Sequence, residues 1–302
     1  MQPQPRVSAH GGWHQDPRQD WERKPGVHPT DTFARYRDSV MTPHLLPDIA
    51  SDPRRLVRLD AVHNFRDMGG FPTTSGRTTK WRTLFRADGL YRLSGTDLAT
   101  VADLGLRTVI DLRTPTELEE RGRFPVDQHP VDFHHISIIE RPWKPEDISD
   151  TDEAADFLEA AYVRMLEDGL TKFPRAIKSL CRPGALPAVF HCAAGKDRTG
   201  MMAMLVLGAL EVADEYIVAD YALTQDGMAR FLQWAVANFP DAYERMTSMP
   251  AAFTSAVPEA MMRMVGLVRR SHGSITNYVL ELGVTQGEID HLREHQIGRA
   301  HV

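Results

Sequence analysis

The residues with the clearest chemical potential lie in one ten-residue segment, which runs from His191 to Gly200 and reads HCAAGKDRTG. The segment holds Cys192, one of only two cysteines in the chain, and Arg198 follows six residues later. The short apolar stretch 187–191 predicts a strand before it, and the apolar residues after it predict a helix over about 198–210. The segment is therefore expected to form a loop between a strand and the N-terminal end of a helix.

Such a loop is suited to binding a tetrahedral oxyanion. Free backbone N–H groups and the positive end of the helix dipole face the interior of the loop and favour the thiolate form of Cys192. The planar guanidinium of Arg198 offers paired donors to the same anion, and Gly195 permits the tight turn. Thr199 is expected to hydrogen-bond the sulfur. Together these residues predict phosphoryl transfer through a cysteinyl-phosphate.

Two other interpretations of the segment were weighed. A cysteine in a strand is often only a small buried apolar residue. A P-loop NTPase does not fit, because Asp197 follows Gly195 and Lys196, and Phe190 occupies the place of the first glycine of that motif.

The segment resembles the H-C-x5-R-(S/T)-G signature of the protein tyrosine phosphatase superfamily. Its fuller form, HCxAGKDRTG, resembles the bacterial tyrosine phosphatase family typified by mycobacterial tyrosine phosphatase B. Two further elements are similar to those of the family, namely NFRDMGG at 64–70, and DLR at 111–113 with Glu117 four residues after Arg113. The resemblance extends over about residues 58–295.

This resemblance implies roles for individual residues. Cys192 would be the nucleophile, Arg198 would bind phosphate and stabilise the transition state, and Asp197 would be the general acid, favoured over Asp111 or Asp67. The expected phosphate cradle is Ala193, Ala194, Gly195, Lys196, Arg198 and Thr199. The expected accessory residues are Arg66, Asp67, Asp111, Arg113 and His191. Arg66 would help to seat the loop and His191 would support it by a hydrogen bond, whereas Asp67 and Asp111 have the simpler alternative of pairing with a neighbouring arginine or a turn.

The expected substrate is a phosphorylated one, namely a phosphotyrosine protein, a phosphoinositide or a small-molecule phosphate ester. Lys196 adds a cation to the loop and favours ligands with more than one negative charge, unless it faces solvent beside Asp197. Three rivals remain open: a phosphatase of a nucleotide or sugar phosphate, a phosphate-binding pseudophosphatase, and sulfur transfer on a rhodanese-like loop.

Metal ions and cofactors are not expected. His134 and His135 are adjacent in a predicted strand and should face opposite sides of the sheet. Cys181 is expected to be a buried thiol or, alternatively, a partner that traps oxidised Cys192 as a disulfide.

The composition excludes several other classes. The 302 residues carry 35 Lys+Arg against 41 Asp+Glu, a net charge of -6, which disfavours nucleic acid as a partner. Two cysteines build no disulfide framework, and no apolar run approaches the roughly 18 residues of a membrane span. The N-terminus lacks the apolar region of a secretory signal, so a cytoplasmic location is expected, with secretion by a route without a signal left open.

The elements that must position the segment are those of an α/β fold. The expectation is a central, mostly parallel sheet flanked by helices, in a catalytic domain over 56–302. Strands are predicted at 56–59, 81–85, 108–112, 131–139 and 187–191, and the part after 213 is helical in pattern. By family resemblance, 213–270 is expected to be a helical lid, and the proline-rich residues 1–55 are expected to be an arm or tail.

Overall fold

The computed structural model describes residues 46–148 and 153–298. The predicted N-terminal arm, residues 1–55, lies outside the described residues as far as residue 45. Five strands form one sheet in the described part: β1 (Arg66–Asp67), β2 (Leu84–Ala87), β3 (Thr108–Asp111), β4 (Asp132–His135) and β5 (Ala188–His191). Their order is β1-β2-β5-β3-β4, with β1 antiparallel to β2 and the other pairs parallel. This confirms the predicted mostly parallel sheet.

The central strand β5 brings the HCAAGKDRTG segment to the middle of one sheet edge. All four residues of β5 are buried, since neighbouring strands lie on both sides. Ala87, Asp111 and His191 are the last residues of β2, β3 and β5, and they lie in register. In open parallel sheets the crevice beyond the carboxyl ends of the strands is the usual ligand site. Cys192 follows β5 directly at that edge.

Helices flank the sheet, and the helix after the segment is the most deeply buried. Their bounds are α1 (Gly95–Asp103), α2 (Pro115–Arg121), α3 (Ala154–Asp168), α4 (Lys172–Leu180), α5 (Asp197–Ala209), α6 (Asp214–Ala222), α7 (Thr224–Asn238), α8 (Pro240–Thr247), α9 (Ala251–Thr254), α10 (Pro258–His272), α11 (Ile275–Glu281) and α12 (Gln286–Gln296), with 3-10 turns at Leu90–Arg92 and Pro145–Asp147. Every residue of α5 after Asp197 is buried, because that helix is apolar on all sides. None of the helices in the described residues has the length and apolar character of a membrane span.

Local signals in the sequence succeeded in part. Thr114 and Glu117 form a capping box at the start of α2, and Thr285 and Glu288 form another at the start of α12. At Ser94, which has the residue type of a helix N-cap, no side-chain cap forms, and Asp97 accepts hydrogen bonds from the backbone N–H groups of Asp60 and Ala61. The predicted strand at 56–59 is reduced to a bridge at Leu56.

The predicted lid, 213–270, is not one structural unit. Helices α6 and α10 contribute five and six buried residues respectively and pack into the core around α5. By contrast, the segment of α7 and α8 carries the exposed apolar side chains of Val236, Phe239 and Tyr243. That 213–270 acts as a lid over the site stays a prediction.

Candidate active site

The HCAAGKDRTG segment forms the expected strand, loop and helix. Cys192 follows β5 and is 2% exposed, and α5 begins at Asp197 after a loop of four residues. Gly195 has a φ of +66°, and a Cβ there would lie 2.6 Å from the carbonyl oxygen of Ala87. Glycine is needed at this position because both the backbone conformation and the close approach to β2 exclude a side chain.

The loop is held from outside by its carbonyl groups. The backbone N–H of Gly89 donates to Ala193 O at 3.1 Å, and Asn64 Nδ2 donates to Ala194 O at 3.0 Å. Arg86 Nη2 donates to Gly195 O at 2.7 Å. The backbone N–H groups of residues 193–196, in turn, donate to no acceptor among the described residues. They remain available to an anion at the N-terminal end of α5.

A buried ion-pair network stands behind the loop. Asp220 on α6 accepts from Arg66 Nε at 2.9 Å and from Arg86 Nη1 at 2.5 Å, and all three side chains are at most 3% exposed. Burial opposes ionisation of Asp220, but the two guanidinium groups hold its pKa at about 2. Arg66 also bonds the side-chain oxygen of Asn64, so it supports the loop through Asn64 and Asp220, without direct contact.

Arg198 is fixed by a paired interaction with a carboxylate. Its Nη2 donates to Glu117 Oε1 at 2.9 Å, and its Nη1 bonds Oε2. Burial opposes the charge of Glu117, yet the bonds from Arg198 and from the backbone of Thr114 lower its pKa to about 2. Burial likewise opposes the charge of Arg198, while the sulfur of Cys192 and the carboxylate of Glu117 raise its pKa. The guanidinium is therefore charged and oriented before any ligand binds.

Asp197 and Lys196 are joined at the start of α5. Asp197 Oδ1 accepts from Lys196 Nζ at 2.8 Å and from the hydroxyl of Tyr162 at 2.7 Å. Lys196 is 1% exposed, and its Nζ also donates to Ala252 O in α9 at 2.7 Å. The alternative of a solvent-facing Lys196 is wrong, because burial of the whole side chain leaves its ammonium bound to these two acceptors.

The other two candidate acids, Asp67 and Asp111, are bound to backbone N–H groups and to an arginine respectively. Asp67 accepts from the backbone N–H groups of Gly69 at 2.8 Å and Arg82 at 2.6 Å, and burial raises its pKa to about 6. Asp111 is bound by Arg113, with Nε at 2.9 Å from Oδ1 and Nη2 at 2.6 Å from Oδ2. Both carboxylates are 2% exposed or less and fully engaged. This supports the structural alternative for both residues.

His191 precedes Cys192 in the chain and Thr199 follows Arg198, and both side chains are buried. His191 Nδ1 lies 3.3 Å from Cys192 O, and its Nε2 lies 3.6 Å from Asp111 Oδ2. The hydroxyl of Thr199 has no hydrogen-bond partner in the described part of the chain. The hydrogen bond expected from Thr199 to the sulfur is therefore not formed in this structure.

The remaining candidates lie apart from this edge of the sheet. Cys181 directly follows α4, and its Sγ donates to Ile177 O at 3.2 Å. Burial raises the pKa of this thiol to about 12. Both cysteines are free thiols. Because Cys181 precedes β5 and Cys192 follows it, a four-residue strand of roughly 13 Å separates their ends of the sheet, which argues against a disulfide.

Metal-ligating groups occur together elsewhere. His291, Glu294 and His295 on α12 have ligand atoms within 4.8 Å of one another and could hold an ion, but none of them belongs to the loop. His134 pairs with Asp132, whereas His135 bonds Arg113 O, as expected for opposite faces of a strand.

Comparison with known proteins decides the family. A family model described as "Tyrosine phosphatase family" matches residues 57–297, which is most of the chain. The chain belongs to the tyrosine phosphatase family. Members of this family are phosphoric monoester hydrolases, so the expected enzyme class is confirmed.

Two sequence relatives, one from Mycobacterium tuberculosis and one from Cupriavidus necator, agree with this assignment. The chain is 28% identical over 277 residues to the triple specificity protein phosphatase PtpB of Mycobacterium tuberculosis, across 80% of this chain and 98% of that protein. A Cupriavidus necator protein named as a tyrosine-protein phosphatase is 29% identical over 249 residues, across 77% of this chain and 87% of its own length. The crystal structure of P. aeruginosa TpbA is 15% identical, with a TM-score of 0.28, and covers 65% of this chain and 99% of its own.

Several residues of the site were missed by sequence reasoning. Glu117 and Asn64 were noted as motif positions, yet no role was expected for either. Arg86, Tyr162 and Asp220 carry no signal at all, because they stand in an ordinary strand and two ordinary helices. Their roles arise only from the packing of those elements against the loop.

Proposed function

We propose that this phosphatase-family chain is a cysteine-dependent phosphate monoester hydrolase that works through a cysteinyl-phosphate and acts on phosphotyrosine in proteins. The observation that supports this most is the loop itself. Cys192 begins a turn whose N–H groups at 193–196 have no partner in the described residues, and Arg198, paired with Glu117, is oriented at the same helix end. A dianionic phosphate completes the hydrogen bonding of this turn.

The reaction has two steps. In the first, the sulfur of Cys192 bonds to phosphorus while the ester P–O bond breaks, and Asp197 gives its proton to the leaving oxygen. The guanidinium of Arg198 and the N–H groups of 193–196 stabilise the oxygens of the transition state. In the second, water bonds to phosphorus, the P–S bond breaks, and Asp197 takes a proton from the water.

Asp197 is the proposed acid because of its surroundings. It follows the loop directly, and its side chain is 21% exposed, whereas Asp67 and Asp111 are closed off by their partners. The Cupriavidus necator relative, which is named as a tyrosine-protein phosphatase, supports phosphotyrosine as the substrate class. No contact favours phosphoinositides in particular, because the ammonium of Lys196 is already bound to Asp197 and Ala252.

The test is a substrate panel with the wild type and Cys192→Ser. We expect hydrolysis of a phosphotyrosine peptide, and a loss of turnover on the order of 10⁴-fold or more in Cys192→Ser with peptide binding retained. Cys181→Ser is the matched control, because that thiol lies at the other end of β5, and it should keep wild-type turnover. Acid quenching during turnover should trap phosphate on the Cys192 peptide.

Four outcomes would contradict the proposal. Full turnover by Cys192→Ser would exclude the cysteine mechanism. Tight peptide binding by the wild type without hydrolysis would indicate a pseudophosphatase. Faster hydrolysis of nucleotide or sugar monophosphates would move the substrate to small molecules, and activity on thiosulfate alone would indicate sulfur transfer.

A further inference from the structure

A chain of hydrogen bonds between buried tyrosines ends on Asp197. The hydroxyl of Tyr162, on α3, lies 2.7 Å from Asp197 Oδ1 and 2.7 Å from the hydroxyl of Tyr221, on α6. The two tyrosines are 0% and 1% exposed. Helix α3 therefore contacts this carboxylate directly, and α6 contacts it through Tyr162.

The direction of each bond follows from the number of protons. An ionised carboxylate only accepts hydrogen bonds, so the single hydroxyl proton of Tyr162 is donated to Asp197. The oxygen of Tyr162 must then accept from the hydroxyl of Tyr221. Each tyrosine hydroxyl donates one hydrogen bond, and successive hydrogen bonds in such a chain strengthen one another.

The two oxygens of Asp197 are therefore not equivalent. Oδ1 accepts from both Tyr162 and Lys196, and these donors occupy it. Oδ2 accepts from no group in the described part of the chain, although the side chain retains 21% exposure. Oδ2 is the oxygen left for a proton and for the leaving group.

We propose that Tyr162, supported by Tyr221, is a positioning residue that binds Oδ1 of Asp197 and assigns proton transfer to Oδ2. The inference deepens the proposed function and rests on it. When the P–S bond forms and the ester P–O bond breaks, the proton on Oδ2 passes to the leaving oxygen. When water bonds to phosphorus and the P–S bond breaks, the proton of the water returns to Oδ2, and the sulfur leaves as thiolate.

Two features suit Tyr162 to this role. Burial and the neighbouring Asp197 charge raise its pKa well above the usual range of a phenol, so it keeps the proton that it donates. Its ring is held by the rings of Tyr221 at 6.3 Å and Trp143 at 6.1 Å. Lys196 alone would orient the Asp197 carboxylate less well, because its ammonium also donates to Ala252 O.

The test is Tyr162→Phe, assayed on aryl phosphates whose leaving phenols differ in pKa. We expect kcat/KM to fall about tenfold or more for weakly acidic phenols, which need protonation, and far less for 4-nitrophenyl phosphate. In an Asp197→Ala background, Tyr162→Phe should cause no further loss. Tyr278→Phe, which alters a mostly buried phenol on α11 outside the site, is the matched control and should show no such pattern.

A merely structural role gives a different result. An equal loss for all leaving groups, or the same loss in the Asp197→Ala background, would overturn the inference. If Tyr162→Phe does not fold, Tyr221→Phe serves, because it removes the donor to Tyr162. It should show a smaller loss of the same leaving-group dependence, and a flat response would again refute the inference. Turnover by Cys192→Ser, by contrast, would reject the proposed function itself, so the two failures are distinguishable.

Discussion

Glu117→Gln is the sharpest perturbation of the anion site that leaves its shape intact. The amide has the size of the carboxylate and can still accept from the backbone of Thr114, as Oε2 does at 2.8 Å. It lacks the negative charge that faces Arg198 at 2.9 Å. The substitution therefore tests the charge of the pair separately from the cap of α2.

The expected magnitude follows from the pKa of Glu117. A fall from 4.5 to about 2 corresponds to about 3 kcal/mol of interaction in the ionised form, which screening at the partly open site reduces to about 2 kcal/mol. For a domain of this size such a loss lowers Tm by roughly 4–8 °C. We also expect kcat/KM to fall about tenfold, because Arg198 must then be ordered by the substrate.

The assays are thermal unfolding and steady-state hydrolysis of a phosphotyrosine peptide, with Glu120→Gln as the control on the exposed face of the same helix. The pH dependence adds a second readout. Because the pKa of Glu117 is lower in the folded protein, its contribution is complete above pH 4.5 and is lost as the pH falls towards 2. Wild type should lose this stability in acid, whereas Glu117→Gln should not. If Glu117→Gln and Glu120→Gln had the same Tm and the same kcat/KM, the reasoning would be refuted.

Three further outcomes are expected. Gly195→Ala should lose about 1–3 kcal/mol of stability, and activity as well, because φ at this position is +66° and β2 leaves no room for a Cβ. The control is Gly287→Ala, at an open position on α12, which should keep wild-type thermal stability and turnover. Because the pKa of Asp67 is raised to about 6, folded stability should decrease as the pH rises from 3.8 towards 6, and urea unfolding of Asp67→Asn should lack that decrease. Alkylation of the folded protein at neutral pH, followed by peptide mapping, should leave Cys181 unmodified, since its pKa is about 12; labelling of Cys181 at the rate of an exposed thiol would contradict its burial.

The parts of the fold that could be predicted from the sequence are those determined by residues close together in the chain. The strand, loop and helix around Cys192 follow from an apolar run, a glycine and a second apolar run, and the capping boxes follow from adjacent side chains. The family motifs also led to Arg198 and Asp197. The sheet order could not be read, because it depends on which helices cover which face.

The supporting residues of the site could not be predicted for the same reason. Arg86 is one arginine in a buried strand, and Tyr162 is one tyrosine on an apolar helix face. Each acquires its role from a partner more than thirty residues away, as Tyr162 does from Asp197 and Arg86 from Asp220. The lid over 213–270 came from the family resemblance and stays a prediction, because helical periodicity alone does not distinguish a cover from a core helix.

The buried pairing of Arg66 and Arg86 with Asp220 has a consequence for when the site comes into being. Asp220 lies 134 residues beyond Arg86 and 154 beyond Arg66, and it stands after the whole HCAAGKDRTG segment. A growing chain that has just completed α5 possesses the signature but leaves two buried guanidinium groups without their counter-ion. Such a chain lacks the carboxylate that binds Arg86, the arginine that donates to the carbonyl of Gly195 in the loop. We therefore expect the loop to take its final shape only after α6 has been added to the growing chain.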